Sequence, residues 1–174
     1  MSTVHVLVPN GIDDSARPSG GNTYDRRICR GLAATGWSVQ ERAVPGSWPR
    51  PDPAARDALK GVIAAIPDDA VVLLDGLIAS AAAEVIAPEA SRLRLVVVVH
   101  MPLGNVAPHD EVADIGAPER AVLACAAAVI TTSTWTRRWL LQRYALPPEQ
   151  VHVAEPGTDA ADLAPGTSAG AELL

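Results

Sequence analysis

Pro18-Ser19-Gly20-Gly21-Asn22-Thr23-Tyr24-Asp25-Arg26-Arg27 stands between a short apolar run, Val4 to Val8, and a segment with helical periodicity. Two adjacent glycines let backbone approach a ligand closely, or take positive φ, with no Cβ in the way. Asn22 reads as an N-cap, and Asp25 three residues later as its partner in something close to a capping box. Tyr24, Ile28 and Leu32 recur at i, i+4 and i+8, which gives the helix an apolar face, and Gly36 is placed to stop it. The N–H groups of the first helical turn then form an anion site facing the loop. Arg26 and Arg27 lie near that positive helix end, where the macrodipole disfavours cations. A bound phosphate or carboxylate relieves the conflict; two solvated arginines are the plainer explanation.

Working outward, the first strand is Thr3 to Val8, closed by Pro9. Trp37 to Val44 reads as a second strand of mixed pattern. A proline-rich loop, Ser47 to Pro53, carries Trp48 into a helix from Ala54 to Ile66. Val71 to Leu74 is a short strand that is apolar throughout, and Asp75-Gly76 ends it before a helix of small residues from Leu77 to Ala87. Leu93 to Val99 is the clearest strand, because its unbroken apolar run from Leu95 implies burial on both faces, as in a central parallel strand. It ends at His100-Met101-Pro102, and a long loop through His109 and Asp110 leads to a helix around Pro118 to Ala127. Ala128 to Thr132 is the fifth strand, Ser133 and Thr134 offer caps for a helix from Trp135 to Tyr144, and Val151 to Ala154 is the last strand. Strands alternating with helices indicate an α/β fold: a doubly wound, mainly parallel Rossmann-like sheet with helices on both faces. We expect the strand order 3-2-1-4 with later strands beyond, which makes strands one and four neighbours. Gly20 and Gly21 then share a crevice with His100 at the carboxyl ends of those strands. Residues 1–155 read as this domain and 156–174 as a linker towards a further domain.

Composition narrows the function classes. The net charge of −6 argues against a general nucleic-acid binder, which needs a basic face. A chain that is 48% hydrophobic and 20% charged is not broadly disordered, and with no Phe its core must come from Val, Leu, Ile and Ala. No apolar run approaches a spanning helix and no signal-like leader opens the sequence, so the expected location is cytoplasmic. Cys29 and Cys125 have no ligand spacing and read as buried free thiols. No His/Cys/Asp group has metal spacing either, so no metal or cofactor is expected.

The glycine loop lacks the Gly-Lys-Ser/Thr of a P-loop and the spacing of a dinucleotide fingerprint, and Glu41 lies inside its strand rather than at the tip. Ser19-Gly20-Gly21-Asn22-x-Tyr24-Asp25-Arg26-Arg27 instead resembles the N-terminal half of retaining GT-B glycosyltransferases of family four. His100-Met101-Pro102 is similar to the family's histidine segment. Val129-Ile130-Thr131-Thr132-Ser133 with its Trp/Arg-bearing helix is similar to the fifth strand and next helix, and Val153 to Asp159 resembles the passage to the second domain. These motifs span nearly the whole chain in the family's order.

The resemblance implies an acceptor-binding domain of an enzyme that moves a sugar from a nucleotide-sugar to an acceptor, inactive without its donor-binding C-terminal partner domain. It places Gly20 and Gly21 at the donor diphosphate and His100 at the reaction centre, with the nucleotide-sugar as substrate rather than cofactor. Asn22, Tyr24, Arg26, Asp75 and Ser133 are the candidate acceptor contacts, the acceptor being a small molecule, a glycan or a lipid-linked sugar. Several of these residues keep a plainer reading. Asp75 fits an Asp-Gly turn and Ser133 a helix cap. His5 and His152 read as structural, Arg137 and Arg138 as a solvated helix face, and Trp48 as a residue able to stack on an acceptor. Two rival functions remain open: a free-standing nucleotide- or NAD-binding domain, and a sugar- or phosphate-binding module without catalysis.

Overall fold

The computed structural model describes residues 2–16, 18–106 and 112–163. His109 and Asp110 lie outside the described residues, as does the end of the sequence from residue 164. Six parallel strands form one sheet: β1 (Thr3–Pro9), β2 (Ser38–Val44), β3 (Val71–Asp75), β4 (Arg94–Val99), β5 (Ala128–Thr131) and β6 (Val151–Val153). Between them run α1 (Gly20–Ala34), α2 (Pro53–Ala64), α3 (Gly76–Ala81), α4 (Ala83–Ile86), α5 (Leu103–Val106), α6 (Val112–Cys125) and α7 (Thr134–Tyr144). The doubly wound α/β reading holds.

The strand order does not follow the expectation. It is β2-β1-β3-β4-β5-β6, so β3 separates β1 from β4, with Val6 opposite Leu73 and Leu73 opposite Val96. The reason lies in composition. Val71 to Leu74 is apolar at every position and gains most from neighbours on both sides, whereas Gln40, Glu41 and Arg42 suit β2 to an edge. The chain therefore reverses direction between β1 and β3, and the ligand crevice of such sheets opens at that switch point.

The alternation of side chains along β1 divides the core. Val4, Val6 and Val8 face α1 with Tyr24, Cys29, Leu73 and Val98. Leu7 and Val72 face the opposite layer, where Leu59 and Ile63 of α2, Ile78 of α3, Leu123 of α6 and Leu140 of α7 close the larger core. One helix covers one face and the remaining helices crowd the other. The most buried residues of α1 are Tyr24, Asp25 and Cys29, with Ile28 and Leu32 only half-buried, so the helix is rotated from the stripe expected of it.

Several helix ends differ from expectation. α1 begins two residues before Asn22, because the Ser19 side chain accepts from the Asn22 N–H at 3.4 Å; Ser19 is the cap and Asn22 is not. Asp25 thereby moves from a capping position into the helix interior. Gly36 does end the helix, at φ 90°. Asp52 caps α2, with Pro53 in the first turn where a missing N–H costs little. The small-residue segment after β3 breaks at Ala82 into two short helices, and α6 starts at Val112 with Pro118 inside it. Cys29 is a buried free thiol, but Cys125, the last residue of α6, is exposed, its thiol donating to the Val122 carbonyl at 3.2 Å.

Candidate functional site

The carboxyl ends of β1, β3 and β4 deliver three segments to one place. β1 leads to the N-terminus of α1, β3 ends at Asp75, and His100 follows β4 directly. Gly21 lies against the imidazole: a Cβ there would stand 3.2 Å from His100 Cδ2, so the second glycine seats the ring, whereas Gly20 has open space around it. The expectation that the glycine loop and His100 share one crevice is met through Gly21, which lies against the ring, even though β1 and β4 are not adjacent.

Beneath the ring lies a residue that sequence reading placed in a helix cap. Asp25 Oδ1 is 3.0 Å from His100 Nε2, and Asp25 is only 6% exposed. Asp75 comes from the other side, 4% exposed, its Oδ1 accepting from the Leu77 N–H at 2.6 Å as the cap of α3. Ligating atoms of Asp25, Asp75 and His100 all lie within 4.8 Å of one another. Burial, with the Asp25 carboxylate beside it, pushes the Asp75 carboxyl up to about 7. Burial opposes a charged His100, but the hydrogen bond to Asp25 and the charges of Asp25 and Asp75 outweigh it and raise its proton affinity above the ordinary imidazole value. A sequence signal for Asp25 existed. Gly21, Asp25 and Cys29 form an i, i+4, i+8 stripe, and a carboxylate on a helix stripe that faces a sheet must find a buried partner.

Tyr24 lies edge-on to His100, with ring centroids 5.3 Å apart, and its hydroxyl donates to the Ala154 carbonyl at 2.8 Å. Arg26 does not face the crevice as a free cation: it pairs with Asp13 and Glu41. Arg27 pairs with Asp159. Acidic neighbours thus resolve the conflict of two cations near a helix N-terminus. Ser133 caps α7 by accepting from the Thr136 N–H at 3.0 Å, and Thr132 Oγ1 donates to the His100 carbonyl at 3.3 Å, which ties the end of β5 to the histidine. Arg137 is not merely solvated, since it donates to the carbonyls of Val151 and Pro148, while Arg138 is exposed. His5 is buried, and burial together with the Arg42 charge lowers its proton affinity below the ordinary imidazole value; His152 is exposed.

Beside this cluster a cavity of about 590 Å³ opens among Pro9, Asn10, Asn22, Ser47, Trp48 and Leu77. It brings the candidate Asn22 together with Trp48 above the end of β1. On the far side of His100, the buried Glu119 of α6 accepts from the N–H groups of Leu103 and Gly104, at 2.9 and 3.1 Å, and from the Tyr144 hydroxyl at 2.5 Å. It fixes the chain three residues after His100. Nothing in the sequence marked Glu119, because an acid near the middle of a helix usually faces water. Among the described residues no helix is long and apolar enough to cross a membrane.

A family model described as Glycosyltransferase Family 4 matches residues 37–162, more than half of the chain. The matched segment includes Asp75, His100 and Ser133 and begins after the glycine loop. No curated protein matches the sequence.

Proposed function

The chain belongs to Glycosyltransferase Family 4, and on that premise we propose that it forms the acceptor-side domain of a retaining enzyme that uses a nucleotide-sugar. The observation that carries the reading is the seating of His100 against Gly21 at the N-terminus of α1, where the sheet opens its crevice. A leaving diphosphate gathers negative charge as the glycosidic bond breaks, and preorganised N–H groups with a cationic imidazole stabilise that charge more than they stabilise the ground state. The amides of Gly20 and Gly21 have no intramolecular partner among the described residues, so they remain available to such an anion. The acceptor belongs in the cavity lined by Asn22 and Trp48, whose half-buried indole offers a face to a sugar ring or to the carrier of a lipid-linked one.

Donor recognition is assigned to a second domain, on the family's two-domain arrangement. The natural polypeptide should therefore release nucleoside diphosphate from a nucleotide-sugar when acceptor is present, with the anomeric configuration of the donor kept in the product. His100→Ala should lower that turnover by about 10²–10⁴ while the circular dichroism spectrum stays unchanged. Wild-type turnover in the variant removes His100 from the chemistry, and an inverted product removes the retaining assignment.

A further inference from the structure

We propose that Asp25 and Asp75 act as a carboxyl pair that holds a single proton, grips His100 by Nε2 and presents the ring's Nδ1–H to an oxygen of the sugar donor. The inference rests on the glycosyltransferase reading and deepens it, because it makes two aspartates positioning residues for the histidine.

The geometry is that of a closed chain of hydrogen bonds with one missing link. One oxygen of each carboxyl is already engaged, Asp25 Oδ1 by His100 Nε2 and Asp75 Oδ1 by the Leu77 N–H. Asp25 Oδ2 is fully buried with no partner. A buried acceptor without a donor costs about 1–3 kcal/mol. The void beside the two carboxyls is about 10 Å³ and walled by Val6, Val8, Leu73 and Val98, at the lower limit for even one water. A proton on the free oxygen of Asp75 supplies the donor. It also removes the repulsion between two anions buried side by side, the arrangement in which like-charged carboxyls share a proton.

With one proton on the pair, the cluster carries a single negative charge, and that charge faces His100. The imidazole is then held as its cation, oriented by Nε2. Nδ1 makes no hydrogen bond among the described residues, and the side chain keeps 21% of its surface exposed, so that nitrogen is the one left for a ligand. Other groups around the cluster are already committed. From α1 come Arg26, paired with Asp13 and Glu41, the Cys29 thiol one turn on, and Tyr24, whose hydroxyl serves Ala154. From the end of β5 comes Thr132, whose hydroxyl serves the His100 carbonyl. Among the described residues no lysine or arginine is hydrogen-bonded to the three groups. The same three side chains also have the spacing to hold a divalent cation, but the 3.0 Å approach of Asp25 to His100 is a hydrogen-bond distance.

The test is the titration of His100 in the full polypeptide, labelled in its histidine rings and followed by NMR, with His100→Gln used to assign the signal. The wild type should titrate above the ordinary imidazole value. Asp25→Asn should lower the His100 pKa by at least about one unit, a tenfold loss of proton affinity, and should lower kcat far more than it raises KM. Asp75→Asn, the isostere of the protonated acid, should leave the raised His100 pKa in place; Asp75→Ala also leaves the Asp25 charge but withdraws the donor to its Oδ2, so it should lower kcat rather than the His100 pKa. The proposal is overturned if His100 titrates normally in the wild type, or if Asp75→Asn shifts it as much as Asp25→Asn does. Loss of the His100 signal on adding Mn²⁺ in the micromolar range also overturns it, in favour of a metal site. Sugar transfer that persists in the wild type and is lost in His100→Gln, together with any of these outcomes, would sink the carboxyl pair and leave the glycosyltransferase reading intact.

Discussion

Replacing Glu119 by alanine takes one carboxylate away from four donors: the Leu103 and Gly104 amides, the Tyr144 hydroxyl and the Ser80 hydroxyl at 3.3 Å. The hydroxyls can rotate towards other partners. The two amides cannot, because they are the first turn of α5 and Gly104 is buried. Each stranded amide costs about 1–3 kcal/mol, so the two together cost roughly 2–6 kcal/mol, with about 3–5 kcal/mol at the middle of that range. A loss of about 3–5 kcal/mol is a large part of the stability of an ordinary domain, and at about 2–4 °C per kcal/mol for a chain of this size it lowers Tm by roughly 6–20 °C. Glu119→Gln keeps one acceptor oxygen but turns an NH2 group towards the donors, so it should fall about midway. Urea titration at constant m, with thermal melting beside it, measures both variants. A Glu119→Ala protein within about 1 kcal/mol of wild type would refute the account of Glu119 as the anchor of the loop after β4.

Stability should fall as pH rises through neutrality. Asp75 holds its proton more tightly folded than unfolded, so its contribution is complete below its ordinary value of 3.8 and is lost as pH climbs to about 7. His100, also raised, adds a loss that begins at 6.5 and continues through its folded value; urea midpoints at pH 5 and pH 8 read this loss together with the part of Asp75's that falls above pH 5, and Asp75→Asn should remove the larger part of the difference. Gly76→Ala sets a Cβ 2.7 Å from the Val98 carbonyl oxygen, so β4 must shift just before His100. A cost of about 1–3 kcal/mol in a denaturant titration is expected. Tyr24→Phe keeps the ring against His100 but frees the Ala154 carbonyl, and should cost about 1 kcal/mol with faster amide hydrogen exchange after β6.

The alternation of strands and helices was legible because each apolar run was short and bounded by Pro, Gly or Asp, as at Pro9, Asp75-Gly76 and His100-Met101-Pro102. The strand order was not, although the contrast between polar β2 and wholly apolar β3 contained the answer. The meeting of Gly21 and His100 survived that error, since every strand of a parallel sheet delivers its carboxyl end to the same rim. Asp25, Glu119 and the acidic partners of Arg26 stayed hidden for one physical reason. Their roles depend on pairing with residues far along the chain, Glu119 with Leu103 and Asp25 with His100, and local periodicity records the face of a helix but not who sits opposite.

The clasp on the segment leaving β6 has a mechanical meaning. Tyr24 and Arg27, one turn apart on α1, grip that segment at Ala154 and Asp159, and the ring that does the gripping leans on His100. The stretch from Ala154 to Asp159 is therefore fastened to the same helix that seats the imidazole. Any displacement of that stretch would reach α1 first, and a single tyrosine ring lies between it and the histidine.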